Sequence, residues 1–353
     1  MTKQQSIYLK GWAVLFMMFL HFGGISNPDY RYSWYGNDYA GAFQICVPIF
    51  LFLSGYGLMV GCMNKDDSFV TSFKKQVRRT MKLFRHYWVV IAPFVALALL
   101  LGKFTWSWES FVLTATSLRC VWCPNAWFIS LYVELILMFP LFFYFLKGKS
   151  KTRILLGFIL LVIFTKLLGK IEWINAEGSI LARQIKMLLL DMPIFIEGML
   201  FAKYSWMNKL MGKMPDGHSS NLFGGAICVV AAIACRAKLP LISVTELIHV
   251  PMCLLGLMFL ASCVAWLFSS ISFVGKYSTT LWLIHGYFIW TFFAPFIYSF
   301  RFWPLAFGVF VGMSLVTSVV MDKVNETMTN HHSYCSHVDR YFCKVRLDFK
   351  ILS

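Results

Sequence analysis

Two ionisable residues stand in an otherwise apolar run near the amino terminus, Lys10 and His21 of KGWAVLFMMFLHFGG (residues 10–24). Side chains that ionise are expensive in hydrocarbon and are usually functional there. On an α-helix their eleven-position separation makes about 1,100° of rotation and about 16 Å of rise, so the two share one face to within roughly 20°. A cation at the mouth of a groove with an imidazole deep inside it suits a long substrate that has an anionic head and a reactive far end. A second cationic set, Arg78, Lys82 and Arg85 of RRTMKLFRHYW (residues 78–88), falls at i, i+4 and i+7 on one helical face. Basic residues at the edge of a span also serve topology alone, and that reading of the set stands beside the functional one.

The elements that must position these groups are membrane helices. With 59% hydrophobic, 18% aromatic and only 14% charged residues over 353 positions, the chain is far more apolar than a soluble domain of its length. The sequence predicts an all-α polytopic membrane protein with about ten transmembrane helices, near 11–26, 43–62, 87–103, 126–146, 154–170, 186–203, 221–236, 248–268, 277–297 and 303–321. The net charge of +16 resides in short segments between apolar runs, which argues against nucleic acid and places those segments and both termini in the cytoplasm. Residues 1–325 then form one membrane domain and 326–353 a basic cytoplasmic tail. MTKQQSIYLK lacks a small-residue cleavage site and is expected to be retained. The outward segments NPDYRYSWYGNDYAG and SWESFVLTATSLRCVWCPN are rich in aromatic residues, which fits an interfacial belt or stacking on a sugar-like ligand. Cys120 and Cys123 form a CxxC with no second pair at zinc spacing, and the tail motif HHSYCSH has no regular ligand spacing. No metal site is expected.

Taken in order, an inner-edge cation with a histidine beyond it, VPIFLFLSGYGL (47–58), RRTMKLFRHYW (78–88), AWFISLYVELILMFPL (126–141) and YSTTLWLIHGYF (277–288) make the chain similar to the acyltransferase-3 family of integral membrane acyltransferases. The resemblance covers essentially the whole chain. It implies an O-acetyltransferase type of activity, in which cytoplasmic acetyl-CoA or another acyl-CoA gives its acyl group to a hydroxyl of an extracytoplasmic glycan or glycolipid at the cell surface. It also implies a multi-pass protein of the bacterial cytoplasmic membrane, with an acyl-CoA, a surface glycan and membrane lipid as its partners.

The resemblance further implies roles for residues. Lys10 stands where the family has an arginine, and Lys82 and Arg85 stand where it has R-x-x-R. Lysine keeps the charge but loses the planar fork that grips a phosphate in two places. With Arg78, these residues would hold the coenzyme A phosphates, while His21 would act as general base on the acceptor hydroxyl. Glu134, a carboxylate within a span, would orient that hydroxyl or a histidine, or else make an interhelical hydrogen bond. Asp38, Trp127 and His285 are acceptor-side or supporting candidates; His285 matches the family's late histidine. Ser54 lacks the G-x-S-x-G elbow of an acyl-serine enzyme, and the glycines around it suit helix packing. The rival reading is a secondary transporter or flippase for a polar or anionic solute, in which His21 and Glu134 relay protons. A third is a membrane sensor that binds a ligand without turning it over. The residues leave open which acyl group, which acceptor and whether oxygen or nitrogen is acylated.

Overall fold

A run of serine N-caps sets where several helices begin: Ser68, Ser107, Ser150 and Ser179 each accept a hydrogen bond from the backbone N–H three residues on. The computed structural model describes residues 1–24, 37–65, 67–123, 125–171, 179–213, 217–238 and 243–351, with side chains described outside 24, 37–39, 243 and 330–351. Its helices are α1 (Lys3–Gly24), α2 (Asn37–Ala42), α3 (Cys46–Cys62), α4 (Phe69–Leu100), α5 (Trp108–Ala115), α6 (Trp127–Leu146), α7 (Lys151–Leu168), α8 (Ile180–Lys203), α9 (Trp206–Met211), α10 (His218–Lys238), α11 (Ser243–Cys263), α12 (Ala265–Lys276), α13 (Ser278–Gly286), α14 (Ala294–Tyr298) and α15 (Trp303–Ile351). A 3₁₀ turn, Phe43–Ile45, joins α2 to α3, and a π-helical turn, Tyr287–Phe292, continues α13. Among the described residues there is no strand, and the chain is an all-α polytopic membrane protein.

Seven described helices are long and apolar enough to cross a membrane, against the ten spans expected. The difference lies in the segments 154–170, 186–203 and 277–297. The first two are helical but carry charges, Lys151, Arg153 and Lys166 in α7 and Arg183, Lys186, Asp191, Glu197 and Lys203 in α8. The third is divided between α13, the π turn and α14. The expected span 248–268 is likewise broken, because α11 stops at Cys263 and α12 starts at Ala265.

Helices α1, α3, α6 and α8, with α11 and α13, supply the buried core, which includes Tyr8, Met18, Phe52, Phe139, Phe195 and Ile284. By contrast α7 and α10 turn Leu160, Phe164, Phe223 and Val230 outward, as helices that meet lipid do. Where no hydrophobic force drives helices together in lipid, small residues let backbones close in. A Cβ on Gly55 would lie 2.0 Å from the Phe195 carbonyl oxygen, and one on Gly198 would lie 2.1 Å from that of Phe52. The two glycines thus clamp α3 to α8. Gly11 and Gly275 do the same for α1 and α12, against Ile271 and Ile7. This second clamp fixes the helix that carries Lys10 and His21 relative to the segment leading into α13.

Candidate active site

The π turn begins two residues after His285, and such turns recur where a helix must aim a side chain at a functional site. Nδ1 of His285, which is fully buried, lies 3.1 Å from the carbonyl oxygen of Leu281, one turn back on α13. A carbonyl can only accept, so His285 carries its proton on Nδ1 and offers a lone pair at Nε2. Nδ1 of His21 sits 2.7 Å from that Nε2 and is therefore the donor. The two rings lie within 6° of parallel with centroids 5.0 Å apart, the arrangement of an edge-on, in-plane hydrogen bond rather than of face stacking. This chain of donors, His21 to His285 to Leu281, leaves the Nε2 lone pair of His21 without a hydrogen-bond partner among the described residues. Trp290 covers both rings, with centroids 5.0 Å from His21 and 5.9 Å from His285. Asn125, just before α6, completes the cluster: its amide nitrogen is 3.4 Å from His285 Nε2 and 3.4 Å from the Trp282 carbonyl oxygen.

His21 opens on a cavity of about 330 Å³, which Gln44, Cys46, Asn125, Trp127 and Trp282 also line. A second cavity of about 370 Å³ lies toward the amino-terminal end of α1 and is lined by Lys10, Ser54, Arg79, Phe128, Tyr132 and Trp282. Trp282 belongs to both. Its ring makes a T-shaped contact with Phe128, centroids 5.0 Å apart, and Trp282 is the side chain that stands between a basic vestibule and the histidine chamber. The vestibule has a mixed polar and apolar wall and one cation from each of α1 and α4, which suits an anionic head on an otherwise extended molecule.

The sequence candidates distribute unevenly over this architecture. Lys10 lies in the vestibule, His21 and Trp127 in the chamber, and His285 directly against His21. Arg78, Arg79 and Lys82 are all exposed, and of the three Arg79 lines the vestibule while Arg78 and Lys82 do not. Arg85 is half-buried with a buried Nε that has no hydrogen-bond partner. Glu134 is half-buried in α6, its Oε2 buried and unpartnered, and it lines neither cavity. The side chain of Asp38 lies outside the described residues. Cys120 and Cys123 are free thiols, and burial pushes the Cys123 thiol up to about 12, which keeps it protonated. Among the described residues no group of three or more His, Cys, Asp and Glu side chains could hold a metal.

Sequence reasoning overlooked Gln44, Arg79, Asn125, Trp282 and Trp290. A signal existed for Trp282, which precedes His285 by three positions and so shares its helical face. None existed for Asn125 or Gln44, which sit outside the regular helices and reach the chamber only through tertiary packing. No curated protein and no solved structure matches the chain. A family model described as an acyltransferase domain matches residues 5–323, nearly the entire chain, and contains every group of the vestibule and the histidine chamber: the protein belongs to the acyltransferase-3 family of membrane acyltransferases.

Proposed function

We propose that this acyltransferase moves an acyl group, in the first instance acetyl, from cytoplasmic acyl-CoA to a hydroxyl of an extracytoplasmic glycan or glycolipid, with His21 as the general base. The observation that carries the reading is the 2.7 Å bond from His21 Nδ1 to His285 Nε2 in a ring that lines the chamber, which leaves Nε2 as the nitrogen of His21 with a lone pair to act as base. In this reading the donor's phosphates rest in the basic vestibule on Lys10 and Arg79, with Arg78, Lys82 and Arg85 drawing the anion in along α4. Its extended thiol arm passes Trp282, and its thioester carbonyl reaches the chamber. The charged head then never enters hydrocarbon.

The acceptor oxygen attacks the thioester carbonyl carbon while its proton passes to His21 Nε2. The tetrahedral intermediate collapses with cleavage of the C–S bond, and the departing thiolate recovers the proton from the imidazolium. The ester and free coenzyme A are the products. His285 is a positioning residue: its Nε2 accepts from His21 Nδ1–H, which fixes the productive tautomer and favours the imidazolium once it forms. Trp127 lines the acceptor side of the chamber and Asp38 takes a supporting role; Glu134, outside both cavities, is given no part in the transfer. Residues 1–325 are the catalytic membrane domain and 326–353 a basic cytoplasmic tail, in a protein of the bacterial cytoplasmic membrane with both termini inside.

Membranes that contain the protein should transfer label from radiolabelled acetyl-CoA to cell-envelope glycan. His21→Ala should remove that transfer, a loss of about 10²- to 10⁴-fold for a general base, while the protein remains folded in the membrane. Full activity of His21→Ala overturns the assignment of the base.

A further inference from the structure

Gln44, in the 3₁₀ turn between α2 and α3, is held by a buried ion pair on two other helices. Nη2 of Arg236 (α10) lies 3.3 Å from Gln44 Oε1 and 3.6 Å from Glu246 Oε1 (α11). The arginine side chain is 3% exposed and the glutamate 10%, so this pair sits inside the protein, where ion pairs contribute more to specificity of arrangement than to stability. Gln44 itself is exposed and lines the His21 chamber.

The pairing decides which way the amide faces. A guanidinium has five N–H donors and no acceptor, so the amide oxygen of Gln44 must be turned to Arg236. The amide nitrogen, with two N–H groups, is then the part left for a chamber occupant. We infer that Gln44 is a specificity-determining residue that donates these N–H groups to an oxygen next to the reacting hydroxyl, and so selects a polyhydroxylated acceptor over a simple alcohol. Arg236 and Glu246 are the positioning residues that keep the amide from turning over. The inference rests on the acyl-transfer reading above and adds to it the group that recognises the acceptor. A donor-side role fits less well, because Lys10 and Arg79 line the other cavity, beyond Trp282.

Gln44→Glu is the informative change. It is isosteric and keeps an acceptor for Arg236 but removes both N–H groups. The full-length protein is assayed in membranes with radiolabelled acetyl-CoA and, as acceptor, the cell-envelope glycan that the wild-type protein labels. The expected result is a roughly 3- to 10-fold rise in acceptor KM, the loss of one neutral hydrogen bond, with donor KM within about twofold of wild type. The double variant Arg236→Met/Glu246→Met, which replaces both charges by apolar groups of similar length, should raise acceptor KM in the same direction because the amide loses its orientation; it also serves if Gln44→Glu does not accumulate. An unchanged acceptor KM in both variants, or a lower kcat with unchanged KM, overturns the inference while leaving the acyl-transfer reading intact. Absence of transfer from acetyl-CoA by the wild-type protein overturns both.

Discussion

Replacing His285 by alanine isolates the contribution of the histidine pair. In the wild-type protein His21 Nδ1 donates over 2.7 Å to His285 Nε2, and His285 in turn donates over 3.1 Å to the Leu281 carbonyl oxygen. Alanine removes the acceptor. The His21 ring is then free to carry its proton on Nε2, and a ring in that state has no lone pair at that nitrogen to take a proton from the acceptor hydroxyl. The hydrogen bond lost also becomes charge-assisted as His21 turns into an imidazolium, and such bonds contribute about 1.5–3 kcal/mol. That is about 10- to 150-fold in kcat at 25 °C. Because the bond strengthens only as charge develops, KM for donor and acceptor should stay within about twofold. His285→Gln, whose amide oxygen can accept from His21 while its nitrogen donates to Leu281, should recover most of the loss, which a merely space-filling role would not predict. The assay is initial-rate acetyl transfer in membranes with both substrates varied, normalised to the amount of folded protein. Less than about threefold loss of kcat in His285→Ala, or equal loss in alanine and glutamine variants, refutes the tautomer-setting role.

Three further outcomes follow from the packing and the vestibule. Arg79→Ala and Lys10→Ala should each raise donor KM by about 10-fold or more, the range of a hydrogen bond to a charged partner, whereas Arg78→Ala, one position away and outside the vestibule lining, should change it by less than about threefold; equal effects at 78 and 79 would contradict a phosphate site in the vestibule. Gly198→Val places carbon within 2.1 Å of the Phe52 carbonyl oxygen and should lower the melting temperature in detergent sharply or abolish accumulation, while Gly57→Ala, which meets nothing within 4 Å, should leave it unchanged. Thr280→Val removes the hydroxyl that donates to Asp322 and lies 3.0 Å from His86 Nε2, a link between α4, α13 and α15, and should destabilise the protein by about 1–3 kcal/mol, read as a lower denaturation midpoint with little change in either KM.

The same link shows what motif reading overlooks. His86 occurs in RRTMKLFRHYW beside a run of cations that invites attention, yet its partners Thr280 and Asp322 lie 194 and 236 positions away, the first a hydrogen-bond partner at 3.0 Å and the second at 3.9 Å. The helical face through Arg78, Lys82 and Arg85 was legible by spacing. Which face of α4 meets α6 and α13 was not, because the cationic part of α4 buries the polar Ser72, Gln76 and Thr80 rather than an apolar stripe; packing turns Arg79 to the vestibule instead.

The sequence by itself determined the membrane setting, the all-helical class, the family, and the common face of Lys10 and His21, since all four follow from apolar run lengths, helical period and local motifs. It could not determine how many runs cross without interruption, because whether the charges within α7 and α8 are accommodated in a span, and where the π turn breaks the helix after α13, depend on what packs around them. Tertiary structure alone decided that His285 is the partner of His21 and that Arg236 turns the amide of Gln44. Those pairs are separated by 264 and 192 positions; their hydrogen bonds exist only after helix packing closes the bundle, and no local pattern in the chain encodes a contact made across it.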